Sequence, residues 1–246
     1  MKFAAPVFLL LAWLMPAAWD SAWATVIPPA ADASKPEFRL LTIEGLRDRV
    51  FQAGHLLEAG ELDAAEGVAL DLAGSFERAM AASPGKYHCF LNQAAFERFR
   101  AGYGSAPLVW LEPTYCDALF IAGLARAHQN DWVGSIAALN KVMAFAPYEV
   151  QARIEAGYVL QRLERPETAI RAYREALNLI EKLGLQPAVK GRVLRGIGSS
   201  YIDLGQYDEA RVWLNRAIDE DEFDLRAFES LHYIDKLTSS TATAMP

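Results

Sequence analysis

The chain has 246 residues and a formal net charge of -7. A domain takes about 100–200 residues, so one elongated domain behind a processed leader is the simplest organisation. The mildly acidic balance argues against a nucleic-acid partner, which would need a basic stripe, and against docking on an anionic membrane face. Alternating runs of valine, isoleucine and threonine are rare, which predicts a helical protein.

Residues 1–24 have the parts of a secretory signal peptide. Lys2 supplies a positive end, Phe3 to Met15 is almost wholly apolar, and Ala22-Trp23-Ala24 is a small-x-small cleavage pattern. The apolar run is short for a membrane span, which needs about 20 residues, and Asp20 also interrupts it. We predict cleavage after Ala24, export to the periplasm, and no stable membrane insertion of the remaining chain. A leader retained as an anchor is the alternative.

The next segments begin the helical part of the chain. Residues 25–39 contain three prolines and are predicted to form an extended linker. A helical pattern starts near Leu40, and apolar residues follow at helical spacing over Leu46–Leu57. Gly60 breaks the run, and Leu62–Ala82 resumes it. The helical domain is predicted over residues 40–237.

Residues 80–115 form an irregular segment, cut by prolines and glycines, with one predicted helix over Asn92–Arg100. It is either a repeat worn down by insertions or a loop with a function of its own. Cys89 lies within it and Cys116 directly after it. An oxidising compartment would permit a disulfide between them, worth roughly 3–4 kcal/mol for a loop of this length. Two separate buried thiols are the alternative.

The second half of the chain has the clearest helical pattern. Its predicted helices are Tyr115–Gln129, Trp132–Phe145, Glu149–Leu163, Pro166 to its C-terminal cap at Gly184, Pro187 or Ala188 to Leu204, and Asp208–Asp219. A last apolar stripe predicts a helix over residues 225–236. Residues 238–246 are rich in serine, threonine and alanine, and we expect them to be disordered.

Small and large apolar residues recur with one spacing through these helices. One segment reads Ala156-Gly157, Leu160, Ala169, Tyr173 and Ala176; another reads Ile197-Gly198, Tyr201, Ala210, Leu214 and Ala217; a third, 34 residues before the first, reads Ala122-Gly123, Ser135, Leu139 and Val142. Small residues recur where two helices must touch closely, and larger ones fill the space around that contact. This pattern resembles the tetratricopeptide repeat, whose period is 34 residues.

The resemblance implies an all-α fold, a right-handed αα-superhelix of the tetratricopeptide type with a C-terminal capping helix at residues 225–236. Its clear repeats would be residues 116–149, 150–183 and, after an insertion of seven residues, 191–224. A degenerate repeat at residues 46–79 and an irregular one at 80–115 would precede them. In this family the first helix of each repeat, helix A, lines a concave groove, and helix B forms the outer wall.

The groove-facing positions follow from the resemblance. They are Asp117, Phe120, Leu124, His128, Gln151, Ile154, Tyr158, Gln161, Arg162, Arg192, Arg195, Ser199 and Asp203. A mixed apolar and charged surface of this kind suits an extended peptide or a helix. Chaperone-binding members of the family grip a terminal carboxylate with Lys and Asn. Ile154 and Tyr158 occupy two of the matching positions here, so we do not expect that mode.

No motif for chemistry accompanies the repeats. None of the four histidines has the spacing of a zinc helix, and no nucleophile elbow appears. We therefore predict a protein that is not an enzyme, without a cofactor or metal, and that acts as a protein-binding scaffold of the bacterial cell envelope. One alternative is a structural or assembly subunit that uses its convex face or Trp110–Pro113. Another is a hydrolase with a site in residues 80–115. An exposed apolar patch outside the groove would favour the first alternative, and a buried titratable pair facing a pocket would favour the second.

Overall fold

The computed structural model describes residues 38–41, 43, 45–83, 85–103, 108–185 and 187–243. The predicted signal peptide and nearly all of the predicted linker lie outside these residues. Within them the chain forms α1 (Leu46–Glu58), α2 (Leu62–Ala81), α3 (Gln93–Tyr103), α4 (Thr114–His128), α5 (Trp132–Phe145), α6 (Val150–Arg162), α7 (Pro166–Leu183), α8 (Pro187–Asp203), α9 (Tyr207–Glu220) and α10 (Leu225–Thr243). Three short strands are β1 (Phe38–Leu41), β2 (Lys86–Cys89) and β3 (Leu108–Leu111). The all-α class is confirmed, with one small sheet added to it.

Two predicted boundaries are wrong. Leu40 lies in β1, and the first helix begins only at Leu46. At the other end, α10 continues to Thr243, through most of the segment expected to be disordered. The hydroxyl of Thr238 donates to the carbonyl of Ile234 at 3.0 Å. Such bonds to the preceding turn let hydroxyl residues remain in a helix.

The structure divides the single predicted domain into two compact units. Unit 1 takes the chain through Gly134 together with Lys141–Tyr148, and unit 2 takes Ser135–Asn140 together with the chain from Glu149 onward. The division therefore falls inside α5.

Unit 1 is built on α1, α2 and α4. Their shared core contains Val50, Ala53, Leu57, Ala65, Ala69, Leu72, Ala118, Ile121, Ala122, Leu124 and Ala125. The alanines let the helix backbones approach closely, and the larger residues fill the remaining space. α1 and α2 thus pack as a helix pair at the place of the degenerate repeat.

A parallel sheet in the order β1-β3-β2 lies in unit 1. β3 is its central strand, and Leu108 pairs with both Phe38 of β1 and Lys86 of β2. Every residue of β3 is buried, so this strand is a continuous apolar run without the alternation that marks a half-buried strand. This is why the sequence pattern did not predict the sheet.

The irregular segment has an aromatic core of its own. Phe96 stacks on Trp110 with ring centroids 5.4 Å apart, and the Trp110 indole N–H donates to the carbonyl of Phe90 at 2.9 Å. Trp110 is 1% exposed. The proposed contact surface at Trp110–Pro113 is therefore wrong, because these residues belong to the interior, except for the half-buried Glu112.

Cys89 and Cys116 form a disulfide, with their Cα atoms 6.4 Å apart. The bond joins the end of β2 to the first turn of α4. It closes a loop of 27 residues, for which the chain-entropy estimate is about 3.5 kcal/mol of stabilisation. The disulfide expected from the sequence is present, and it anchors the irregular segment to the helices.

In the part of the chain that the structure describes, one helix–helix turn occurs four times. Gly60, Asn130, Glu164 and Gly205 all have positive φ, between 59° and 78°. In the third turn, the N–H of Glu164 donates to Gln161 and the next N–H donates to Leu160. The other three turns have the same pair of bonds. This is the Schellman ending of a helix, and it marks helix A to helix B of each pair, including α1 and α2.

Unit 2 contains α6 to α10. Gly157 of α6 and Gly198 of α8 hold equivalent positions in their repeats, and each faces the helix B that follows. A Cβ on Gly157 would come within 2.6 Å of Tyr173, and one on Gly198 within 2.8 Å of Leu214. Only glycine allows so close an approach, which is why the repeat pattern has glycine there. The prediction of close helix contact at these positions is confirmed.

Candidate partner-binding surface

The predicted groove residues divide between the two units. Those of unit 1 lie on α4, and those of unit 2 lie on α6 and α8, which are consecutive A helices. The two sets are therefore described separately.

Two of the predicted residues are not surface residues at all. Leu124 is 6% exposed in the core of unit 1, and Ile154 is 1% exposed in the core of unit 2. Phe120 also packs against the unit 1 core, although it remains half-buried. A-helices in this fold contact neighbours on several sides, so a position one step around the helix is already interior. Leu124 and Ile154 cannot contact a partner.

Asp117 and His128 of unit 1 remain half-buried on α4. They are 11 residues apart on one helix, which separates them by about 16 Å along its axis. The clearest arrangement of predicted residues is in unit 2.

A polar network joins α6 to α8. The Arg192 guanidinium is 2.6 Å from the Glu155 carboxylate, and both side chains are more than four-fifths buried. The Tyr173 hydroxyl donates to the Gln161 side-chain carbonyl at 3.0 Å. Gln161 also donates to the Asp203 carboxylate. Charged and neutral hydrogen bonds thus hold these side chains in defined positions.

Tyr173 belongs to α7, a B helix, yet its hydroxyl lies in this network. Its ring passes through a gap left by two glycines. A Cβ would lie 2.6 Å from the ring at Gly157 and 2.5 Å from it at Gly196. The absence of both Cβ atoms is what lets the ring of the outer helix come into close contact with α6 and α8.

Three titratable groups in and around this network have raised pKa values. Burial raises the pKa of Tyr173, with nearby Arg192 opposing and Glu155 adding to the rise. Burial likewise raises the pKa of Tyr158, and Arg162 opposes it. Although Asp203 is exposed, the protein around it partly desolvates its carboxyl group, which raises the pKa against the hydrogen bond from Gln161. Both tyrosines therefore stay protonated, as hydrogen-bonding groups and not as nucleophiles.

Arg195 has a structural role. Its guanidinium pairs with Asp224, whose side chain is 3% exposed. Asp224 also accepts the backbone N–H of Ala227 at 3.1 Å, which caps the first turn of α10. Arg195 and Arg192 are both held by buried or nearly buried carboxylates, so neither is a freely available contact for a partner.

The accessible part of the predicted set in unit 2 is smaller than expected. Gln151, Tyr158 and Ser199 are half-buried, and Arg162 and Asp203 are exposed. Sequence reasoning missed Tyr173 and Glu155 as members of the site. Gly196, an additional glycine two residues before the repeat position at Gly198, was the signal that could have indicated the reach of Tyr173.

A separate cleft of about 690 Å³ lies in unit 1. Its walls include Glu77, Lys86, His88, Tyr115 and Lys141. Glu77 accepts from the Tyr115 hydroxyl at 3.3 Å and pairs with Lys141 at 3.0 Å. Burial and then Glu77 raise the pKa of Tyr115, and burial lowers the pKa of His88, with the backbone of Phe145 and Ala144 opposing. Titratable groups thus face a pocket near the irregular segment, and the Tyr115 hydroxyl among them is bonded to Glu77.

Comparison with known proteins agrees with this architecture. Residues 148–219, which span α6 to α9, match the family model of the tetratricopeptide repeat. No curated protein sequence matches the chain. Among solved structures, MamA from Desulfovibrio magneticus RS-1 (residues 41 to the end) is 13% identical, with 83% of this chain and 91% of that one covered and a TM-score of 0.54. The ArsTM double mutant of MamA RS-1 is 14% identical, covers 83% and 90%, and has a TM-score of 0.55.

Residues 148–219 therefore consist of tetratricopeptide repeats. The two MamA structures show the same fold. Members of this family are helical scaffolds for protein–protein interaction and are generally not catalytic. In the described part of the chain, no helix has the length and apolar character needed to cross a membrane.

Proposed function

We propose that this protein is a non-catalytic scaffold of the bacterial cell envelope that binds a peptide or protein partner on the helix-A surface formed by α6 and α8. The observation that carries this proposal is the network of Glu155, Gln161, Tyr173 and Arg192. It holds its side chains in position before any partner arrives, and such preorganisation reduces the entropic cost of binding.

The accessible residues around the network are suited to contact. Tyr158 is half-buried and Arg162 is exposed. Tyrosine and arginine are among the residue types most often found as binding hot spots. Asp203 supplies a carboxylate on α8, so the surface offers both signs of charge to an extended peptide.

Two observations support a place in the cell envelope. Residues 1–24 have the pattern of a signal peptide. In addition, the only two cysteines of the chain are joined in a buried disulfide. Structural disulfides persist in oxidising compartments such as the periplasm and are rare in the cytosol.

The test is capture of a partner from an envelope extract of the source cell with the purified protein and two charge-reversal variants. Arg162→Glu changes the proposed surface on α6, and Arg171→Glu is a matched control on the B helix α7; both arginines are exposed. We expect the Arg162 variant to lose the partner and the control to keep it. Equal retention by both variants would remove α6 and α8 as the binding surface. Substitution of Arg192 or Arg195 is not informative, because it would strand Glu155 or Asp224.

An assembly subunit is the second candidate, and one observation favours it. Among the described residues, the large apolar side chains with high exposure lie away from the proposed surface: Val212 of the B helix α9 is 58% exposed, and Leu91 of the irregular segment is 48% exposed. Exposed apolar residues of this kind are common at contact sites. A partner that survives Arg162→Glu but is lost with Val212→Glu or Leu91→Glu would favour this function.

A further inference from the structure

Three large apolar side chains are exposed where the last repeat ends. Phe223 is 77% exposed, Leu225 is 72% exposed and Phe228 is 46% exposed. They lie in the turn after α9 and in the first turn of α10, and we call them the C-terminal apolar patch. The terminal helix of a solenoid usually presents a polar face to solvent, so this patch needs a physical reason.

The backbone that carries the patch is well held. Asp224, between Phe223 and Leu225, is 5% exposed, caps α10 and pairs with Arg195. The Asp221 carboxylate accepts the Phe223 N–H at 3.0 Å. These bonds fix the turn, so the apolar side chains are presented by an ordered segment.

Local packing does not account for their exposure. Phe223 precedes the cap residue and Phe228 is the fourth residue of α10, which are the positions of a hydrophobic staple. A staple that buried its members would leave neither Phe223 nor Phe228 so accessible. A hydrophobic staple would also not explain why Leu225, the first residue of α10, is exposed.

The charges beside the patch indicate what could cover it. Asp219, Asp221 and Glu222 are exposed and directly precede Phe223. In the part of the chain that the structure describes, no salt bridge is formed by any of the three, whereas Glu220 pairs with Lys190. One exposed cation, Arg226, follows. The border of the patch is therefore clearly negative.

This charge decides among possible occupants. Phosphate-bearing surfaces, nucleic acid and anionic lipid alike, would be repelled by the carboxylates. A two-fold contact with a second copy would place the same acidic run opposite itself or nearby. A partner segment with Lys or Arg beside its apolar residues would cover the patch and neutralise the carboxylates together. We propose that the C-terminal apolar patch binds a basic amphipathic helix of a partner protein.

This site is distinct from the surface on α6 and α8, so its test is independent of the function proposed above. The probe is a fluorescein-labelled amphipathic peptide of leucine and lysine, compared with an analogue in which every lysine is glutamate. Anisotropy titrations with the purified protein would use Phe223→Ser/Leu225→Ser and Glu222→Lys. The matched controls are Val133→Ser, at an apolar residue of α5 that is 69% exposed, and Glu181→Lys, at an exposed glutamate of α7. All the altered residues are exposed, and circular dichroism confirms folding of each variant.

We expect the lysine peptide to bind and the glutamate analogue not to bind. The Phe223→Ser/Leu225→Ser variant should bind at least about tenfold more weakly, which corresponds to about 1.4 kcal/mol. Glu222→Lys should weaken binding and reduce its salt dependence, while both controls bind as the unaltered protein does. Absence of binding, equal binding of the two peptides, or equal losses in the controls would overturn the proposal. Sedimentation that shows a dimer dissociated by Phe223→Ser/Leu225→Ser would also overturn it, because the occupant would then be a second copy.

Discussion

Replacing Gly196 with alanine should destabilise unit 2, because the slot that holds the Tyr173 ring has no space for a methyl group. The new Cβ would lie 2.5 Å from Cζ of Tyr173, about 1 Å inside an ordinary carbon–carbon contact. The ring has little freedom to move, because Tyr173 is 4% exposed and the ring also lies against Gly157 of α6, where a Cβ would be 2.6 Å away. Overpacking of this kind costs about 1–3 kcal/mol. Alanine is better than glycine inside a helix by roughly 0.5–1 kcal/mol, so the expected net loss lies between about 0 and 2.5 kcal/mol.

The assay is urea unfolding followed by circular dichroism, and α8 supplies its own control. A Cβ on Gly191 of the same helix would meet nothing closer than 3.9 Å, so Gly191→Ala should not destabilise the protein. The decisive comparison adds Tyr173→Ala. Once the ring is removed, Gly196→Ala should no longer be destabilising, which gives a coupling of about 1–3 kcal/mol. The reasoning fails if Gly196→Ala costs the same with and without the ring.

Three further predictions follow from local features. Glu164→Gly should raise the free energy of unfolding by about 0.5–1 kcal/mol, because φ is 59° at Glu164. A left-handed conformation costs a residue with a side chain about 1–2 kcal/mol, and the entropy of glycine in the unfolded chain partly offsets the gain. Gly205→Ala, at the matching turn, should lower the free energy of unfolding, and urea midpoints that move in the same direction for both variants would contradict this. Cys89→Ser/Cys116→Ser should lower unfolding stability by about 3–4 kcal/mol, and a reducing agent should destabilise the unaltered protein but not this variant. Burial lowers the pKa of His88, so the unfolded chain takes up a proton near pH 6.5 that the folded chain does not. The melting temperature should therefore fall as the pH is lowered from about 7.5 to 5.5, and it should fall less in the His88→Gln variant. An equal fall in the variant would exclude His88 as the source.

The helical framework could be predicted from the sequence because its signals are local. Spacings within one repeat place Ala169 and Tyr173 on the same side of a helix, and Pro166 and Gly184 mark the two ends of α7. The structure begins α7 at Pro166 and places Gly184 at its C-terminal cap with φ 65°. These features depend on residues a few positions apart, so no knowledge of distant contacts was needed.

The sheet and the site depend on contacts between distant residues, and there the sequence was insufficient. Arg195 resembled a groove residue, but its partner Asp224 lies 29 positions later. Tyr173 was recognised as a packing residue, whereas its contact with α8 and the polar network follows from Gly196 on that helix. β3 has no alternation because both of its faces are covered. In each case the relevant partner is identified only once the chain has folded.

The disulfide has a consequence for how this chain responds to proteolysis. Cys89 and Cys116 enclose α3 and β3 in a covalently closed ring. A single cut of the peptide backbone anywhere between them would not release a fragment, because the bridge would still connect both new ends to the rest of the molecule. A protein nicked there would migrate at full length on a non-reducing gel and as two pieces after reduction. The part of the irregular segment that lies between Cys89 and Cys116 can thus be cleaved without the chain coming apart.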